Sequence, residues 1–274
     1  MIRFAAAGYV CIDYYPQMDN RCYVTGNGVD VLFNLLDMRS DLCSSVVSAI
    51  SDDTYGKMAV EVFSRKGIDC SQLDIIPGGV TPCVDLYLKN GYDRVHNTFQ
   101  DGVMTGYQFS EEAIEFLSRQ DYVHTDFTGR LIPQLSRIRK GGAKIFFDLS
   151  FRHEHEEMET VLSNIEVGLC SFEDNIEEGK EFLRYGCSLG AKAMIATFGE
   201  KGSLVYDGKE FYRGEIVPAK KVVNTVGAGD SYFAGFISGW MDGKPIPECI
   251  QSGALRSSKV VGIFHPYLEE KHKG

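Results

Sequence analysis

Between residues 110 and 197 the chain alternates helical and strand patterns with short breaks, and this alternation constrains the fold more than any other feature. Apolar residues recur at helical spacing in 110–117, 131–139, 156–163 and 175–185. Apolar runs of strand length are interleaved at 122–125, 144–148, 167–170 and 193–197. Neighbouring strands can run parallel only if the chain crosses back over the sheet, and a helix is the usual crossover. The expectation is an α/β fold of three layers, αβα, around a mainly parallel central sheet. Ligands of such sheets lie beyond the carboxyl ends of the strands. Phe198-Gly199-Glu200-Lys201-Gly202 follows one such end.

The first hundred residues have a second texture. A buried strand at 2–7 closes on Gly8, and Asp13 follows among strand formers that stop at Pro16. A short strand at 21–25 leads into the glycine loop Gly26-Asn27-Gly28, and helical spacing runs from Val29 to about Met38. An apolar strand at 44–50 precedes a helix that Asp53 opens and Gly67 ends. Strands at 73–76, 83–88 and 94–99 are divided by Pro77-Gly78-Gly79 and Asn90-Gly91, and their polar-apolar alternation suits a sheet with one wet face. Near the end come a hairpin about Asp207-Gly208, a helix at 231–241 and a last helix at 247–261. No repeat or low-complexity linker divides the chain, so a single domain is expected over 1–274, with the small strands as an appendage.

Lys and Arg number 28 against 38 Asp and Glu, a net charge of −10. That balance argues against nucleic acid or an acidic membrane surface as the main partner, so an anionic ligand must be met locally. The eight cysteines form no C-x-x-C pair or disulfide-like framework and read as reduced, mostly buried thiols. With no apolar run near ~18 residues and no signal-type segment, the reading is a cytoplasmic protein.

Asn224-Thr225-Val226-Gly227-Ala228-Gly229-Asp230 places small residues and a carboxylate at the mouth of the 231–241 helix. The first turn of a helix has unpaired N–H groups and the positive end of the dipole, so small residues there let an anion approach. Two readings stand side by side: a glycine turn capped by Asp230, or an anion cradle whose carboxylate takes the proton of an alcohol. Asp148-Leu149-Ser150-Phe151-Arg152 ends a strand, and Arg152 is either a ligand-facing cation or a surface arginine at a helix start. His153 and His155 stand at i, i+2 on different sides of a helix, which does not suit a metal site.

The chain resembles the ribokinase-like (PfkB-type) family of sugar kinases over essentially its whole length. The family's Asp-Thr-x-Gly/Ala-Ala-Gly-Asp signature is matched by Asn224 to Asp230 in all but its first residue. Gly8 through Asp13 and the loop Thr25-Gly26-Asn27-Gly28-Val29-Asp30 match its amino-terminal marks in the right order. Cys11-Ile12-Asp13, Tyr15-Pro16-Gln17, Gly79-Val80-Thr81, Asp93-Arg94-Val95, Gly102-Val103-Met104 and Val123-His124 are similar to the branch that phosphorylates fructosamines.

The resemblance implies ATP- and magnesium-dependent phosphorylation of a sugar hydroxyl, with fructoselysine or a related fructosamine, at its 6-hydroxyl, as the acceptor. It implies Asp230 as the base, and the amides of Gly227, Ala228 and Gly229 as the holders of the transferring phosphoryl group. It places Asp13, Gly26, Asn27, Asp30, Arg94 and Arg152 against the sugar, and Thr197, Gly199 and Gly202 at the nucleotide. A β lid formed by about 14–25 and 83–100 would cover the sugar, and such lids can pair two copies into a homodimer.

Three departures shape the expectation further. Asn224 replaces the aspartate that helps relatives hold a monovalent cation, which puts potassium activation in doubt. Asp30 stands where asparagine is usual, and a carboxylate accepts only, which suits a polyol or a cationic amine. The magnesium motif has two competing copies, 171–174 and 175–178, with Asp174 the residue chosen. Other family acceptors, such as fructose, ribose or a nucleoside, stay open, as does a non-catalytic sugar-binding protein of the same fold.

Overall fold

A computed structural model describes residues 1–89 and 93–267, and of residues 88, 89, 93, 94 and 96 the backbone alone. Its main sheet has nine strands. Strand β1 (Ile2–Ala7) lies within it, with β4 (Leu42–Ser51) and β5 (Asp69–Ile76) on one side. On the other side follow β8 (Tyr122–Asp126), β9 (Lys144–Ser150), β10 (Val167–Ser171) and β11 (Ala193–Thr197). All these pairs are parallel, as the alternation requires. The hairpin β12 (Ser203–Tyr206) and β13 (Phe211–Gly214) extends the sheet antiparallel.

Alternating strand residues feed two cores, one on each face of the sheet. Phe4, Phe146, Leu169 and Ile195 face α1 (Asn27–Met38), α2 (Thr54–Arg65), α7 (Ala228–Met241) and α8 (Ile246–Val260). Ala5, Phe147, Cys170 and Ala196 face α3 (Glu111–Ser118), α4 (Leu135–Lys140), α5 (Met158–Leu162) and α6 (Ile176–Leu189). The three-layer αβα arrangement is therefore the observed one. Helix α7 is buried from Ser231 to Gly239. A Cβ on Gly235 would lie 2.5 Å from the Ser252 carbonyl oxygen, so glycine there is what lets α7 and α8 touch backbone to backbone.

A second, four-stranded sheet consists of β2 (Cys11–Tyr15), β3 (Arg21–Thr25), β6 (Cys83–Lys89) and β7 (Asp93–Gln100). Two antiparallel hairpins are joined in it by the parallel pair β2–β6.

Several boundaries differ from the sequence reading. The strand expected at 73–76 begins at Asp69 and belongs to the edge of the main sheet, where pairing with β4 overrides its alternating pattern. The helix expected at 131–139 begins at Leu135 after a one-turn 3-10 segment containing Pro133, because proline fits a first turn and not an interior. The helix expected at 156–163 is only Met158–Leu162. Helix α7 starts three residues earlier than its apolar spacing indicated, which places Asp230 inside its first turn. Cys11, Cys170 and Cys249 are buried, Cys43 is exposed, the other four are intermediate, and all eight are free thiols. Among the described residues no helix is long and apolar enough to cross a membrane.

Candidate active site

The chain leaves β1 for β4 and β5 on one side of the sheet, then returns through β8 on the other. The carboxyl ends of β1 and β8 thus bound the crevice that an open parallel sheet offers to ligands. The two ends meet closely, since a Cβ on Gly8, at φ 128°, would lie 2.5 Å from the Gly129 Cα. A cleft of about 230 Å³ lies here, lined by Asp13, Thr25, Gly26, Asn27, Asp30, Asp126, Arg152 and Asp230, with Tyr9, Phe99 and Phe127 among its apolar walls. A larger open hollow of about 620 Å³ between β13 and α8 is lined mainly by Phe211, Tyr212, Ile216, Pro247 and Ile250 and gathers no comparable set of acids.

Each polar side chain reaches the cleft from a different element. Asp13 projects from β2 and is buried. Gly26 caps α1 at φ 124°, and a Cβ there would meet the Tyr9 carbonyl oxygen at 2.2 Å, so only glycine permits this crossing of the two loops. Asp30, in the first turn of α1, accepts a hydrogen bond from the Thr25 hydroxyl at 2.7 Å. Asn27 joins three elements: its amide nitrogen donates to Asp148 Oδ2 on β9 at 2.6 Å and to Asp230 Oδ1 on α7 at 2.9 Å.

Two buried aspartates stand opposite each other at the ends of β8 and β9, where Asp126 registers with Asp148. Asp126 Oδ1 accepts from the Thr128 and Gly129 amides and the Thr128 hydroxyl at 2.6–2.8 Å. Asp148 Oδ1 accepts from the Ser150 amide at 2.6 Å, a turn that holds Ser150 at φ 52°. Burial pushes the Asp148 carboxyl up to about 6; the Asp126 charge adds to this, while the Asn27 and Ser150 hydrogen bonds oppose it. Burial likewise lifts Asp126 above the usual carboxylate range, against its Thr128 and Gly129 donors and the nearby Arg152. Arg152 is exposed, lies 5.9 Å from the Phe127 ring centroid, and makes no ion pair with another described residue.

The start of α7 is a tight turn. Gly227 adopts φ 71°, the Ala228 amide donates to the Thr225 carbonyl at 3.2 Å, and the Ser231 amide to that of Gly227 at 2.8 Å. A Cβ on Gly227 would strike Pro266, whereas one on Gly229 meets nothing within 4 Å. The Gly229 face of this positive helix end is therefore open, and it fits an anionic phosphate group. Asn224 is buried; its amide nitrogen donates to the Phe264 carbonyl at 2.9 Å, and its oxygen accepts from the Val226 amide at 3.0 Å.

Of the residues singled out from the sequence, Asp13, Gly26, Asn27, Asp30, Arg152 and Asp230 converge on the cleft. Thr197, Gly199 and Gly202 lie at the end of β11, outside that lining. There Thr197 Oγ1 is 3.0 Å from Ser171 Oγ, and the Gly202 carbonyl accepts from the Phe198 amide. Asp174 is well exposed and paired with Lys201 at 2.6 Å. Arg94 lies on β7, and its side chain falls outside the described residues. The sequence reading missed Asp126, because it ended the strand at Thr125, and it cited Asp148 only as a neighbour of Arg152. An acid closing each of two adjacent parallel strands was the available signal.

Comparisons with known proteins bear on the family and the fold. The pfkB family carbohydrate kinase model matches residues 17–264. Fructoselysine 6-kinase of Escherichia coli K12 is 30% identical over 95% of this chain and 98% of its own length. A fructosamine kinase of Bacillus subtilis strain 168 is 25% identical over 96% of this chain and 92% of its own. Arabidopsis thaliana ribokinase complexed with ribose and ATP superposes with a TM-score of 0.79 at 17% identity, covering 96% of this chain and 93% of that one, a likeness of fold. The family match and these full-length relatives place the chain in the pfkB family of carbohydrate kinases.

Proposed function

We propose that this sugar kinase transfers a phosphoryl group from ATP to a fructosamine, with fructoselysine at its 6-hydroxyl as the acceptor. The observation that carries the reading is that Asp230 both lines the acid-rich cleft and sits in the first turn of α7. A carboxylate there reaches a hydroxyl in the cleft while the helix end faces the incoming phosphate. Asp230 takes the acceptor proton, and the amides of Gly227, Ala228 and Gly229 hold the charge of the transferring group. The Ala228 amide must leave the Thr225 carbonyl to do so.

Thr197, Gly199 and Gly202 would hold the nucleotide, and Asp174 would serve the magnesium once its pair with Lys201 opens. When bound, magnesium-ATP supplies the phosphoryl group and neutralises part of its charge. Among the described residues, Asp13, Asp30, Asp126 and Asp230 line the cleft with Arg152 as their one cation, a lining that disfavours a sugar acid and suits a polyol bearing an ammonium group. Arg152 at the rim is placed for a carboxylate, the feature that the amino-acid end of a fructosamine adds to a sugar. Asn224, engaged through both ends of its amide, supports a kinase that works without a monovalent cation. The small sheet is the proposed lid, and through it two copies would pair.

The test is ATP consumption over a panel of fructoselysine, fructose, ribose and a nucleoside, with wild type and Asp230→Asn. Fructoselysine is expected to give the highest kcat/KM. Asp230→Asn is expected to lower kcat by roughly 10²- to 10⁴-fold. No turnover by wild type above background would sink the kinase reading, and near-normal turnover by the variant would remove Asp230 as the base.

A further inference from the structure

Asn27 is the first residue of α1, yet its side chain turns inward to join two carboxylates from distant parts of the chain. Both hydrogens of its amide nitrogen are in use, one on Asp148 at 2.6 Å and one on Asp230 at 2.9 Å. Its amide oxygen is buried without a hydrogen-bond partner among the described residues. Turning the amide over would place that oxygen against two acids, so the observed orientation is the only one the two carboxylates accept.

We propose that Asn27 is a positioning residue for phosphoryl transfer: its shared amide nitrogen fixes the Asp230 carboxylate and couples its charge to that of Asp148. This rests on the reading of Asp230 as the base. The physical reason is electrostatic. Two carboxylates on either side of one amide repel each other, and the N–H donors are what hold both close in their charged forms. Without the amide, Asp230 loses this donor and has more to lose from being charged beside its neighbours. Among the described residues, the charged and titratable groups around this link are Asp13 on β2 and Asp30 on α1 in the same cleft, Asp126 on β8, across from Asp148, Cys170 on β10, whose thiol burial and the Asp148 charge push up, and Arg152 beyond Asp126.

The coupling can be read without catalysis. In uniformly ¹³C-labelled aspartate protein, the Asp230 carboxyl resonance is assigned through Asp230→Asn and titrated in wild type, Asn27→Ala and Asn27→Asp. Loss of the donor in Asn27→Ala is expected to raise the Asp230 midpoint by about one unit, and the added acid in Asn27→Asp to raise it further. Asn27→Asp fills the space that alanine leaves empty, so a cavity-driven fold defect in the alanine variant does not close the test. In the kinase assay, Asn27→Ala is expected to lower kcat by about 10- to 100-fold while KM for sugar and ATP moves less than about threefold. An unchanged Asp230 midpoint in both variants overturns the proposal, as does a variant that raises KM and leaves kcat intact. Absence of turnover by wild type counts against the kinase reading alone, and the titration then decides the coupling between Asn27 and Asp230.

Discussion

The same substitution made at two glycines two residues apart should have opposite consequences. Gly227 caps α7 at φ 71°, and a Cβ on it would lie 2.4 Å from Pro266 Cβ and 2.6 Å from Pro266 Cα. Left-handed backbone costs a non-glycine residue about 1–2 kcal/mol. Forcing the 264–267 segment aside adds about 1–3 kcal/mol. Gly227→Ala should therefore lose about 2–5 kcal/mol, which for a chain of this size is a fall in Tm on the order of 5–15 °C. Gly229, by contrast, is helical and has open space where its Cβ would project. Gly229→Ala should keep or raise Tm, since alanine in a helix is favoured by about 0.5–1 kcal/mol. If the phosphoryl group lies against this turn, the new methyl stands in its way, and kcat should fall by roughly 10- to 1,000-fold. Calorimetry on both variants beside the coupled assay separates the two effects. A Gly229→Ala enzyme with wild-type kcat would show that the phosphate is held elsewhere. A Gly227→Ala protein that melts with wild type would refute the clash with Pro266 as a constraint on this turn.

Other consequences follow from single residues. Arg152→Ala should raise KM for fructoselysine by about tenfold and leave that for fructose unchanged, because only the former presents a carboxylate at the rim; equal effects on both sugars would assign Arg152 to the general wall of the cleft. His124 is wholly buried, neither ring nitrogen has a hydrogen-bond partner among the described residues, and burial pushes its pKa down to about 3. The unfolded chain takes up that proton below about 6.5 and the folded one does not until about 3, so stability must fall as pH drops through that window. His124→Leu should remove this loss, so that its stability relative to wild type is about 2 kcal/mol greater near pH 5 than at neutral pH in urea unfolding curves. A variant whose advantage is the same at both pH values would mean that packing, not protonation, is responsible. Turnover in potassium should match that in a bulky organic cation within about twofold; strong potassium dependence would refute the role given to the Asn224 amide.

The layers and the parallel sheet were legible in the sequence. Each rests on a local periodicity, and a helix between two strands leaves little choice of topology. Gly227 to Asp230 were legible as a helix end from their own residues, although the apolar spacing set the first residue of α7 three positions late. Local patterns failed where pairing decided. The strand at Asp69–Ile76 alternates like a lid strand yet extends the main sheet, because β4 presents it with an edge. The site was legible as separate fragments: Asp13, Gly26 to Asp30 and Asp230 could be picked as residue types, but nothing local says that they meet.

Only the tertiary structure brings the amide of Asn27 between Asp148 and Asp230, residues 121 and 203 positions away along the chain. Only register places Asp126 beside Asp148 at the ends of adjacent strands, where mutual burial and repulsion set their protonation. Chemical identity and helix ends are local properties, so the sequence determined the base candidate and the turn beside it. Distance, burial and charge coupling are sums over the whole fold, so the network that positions that base was decided by packing.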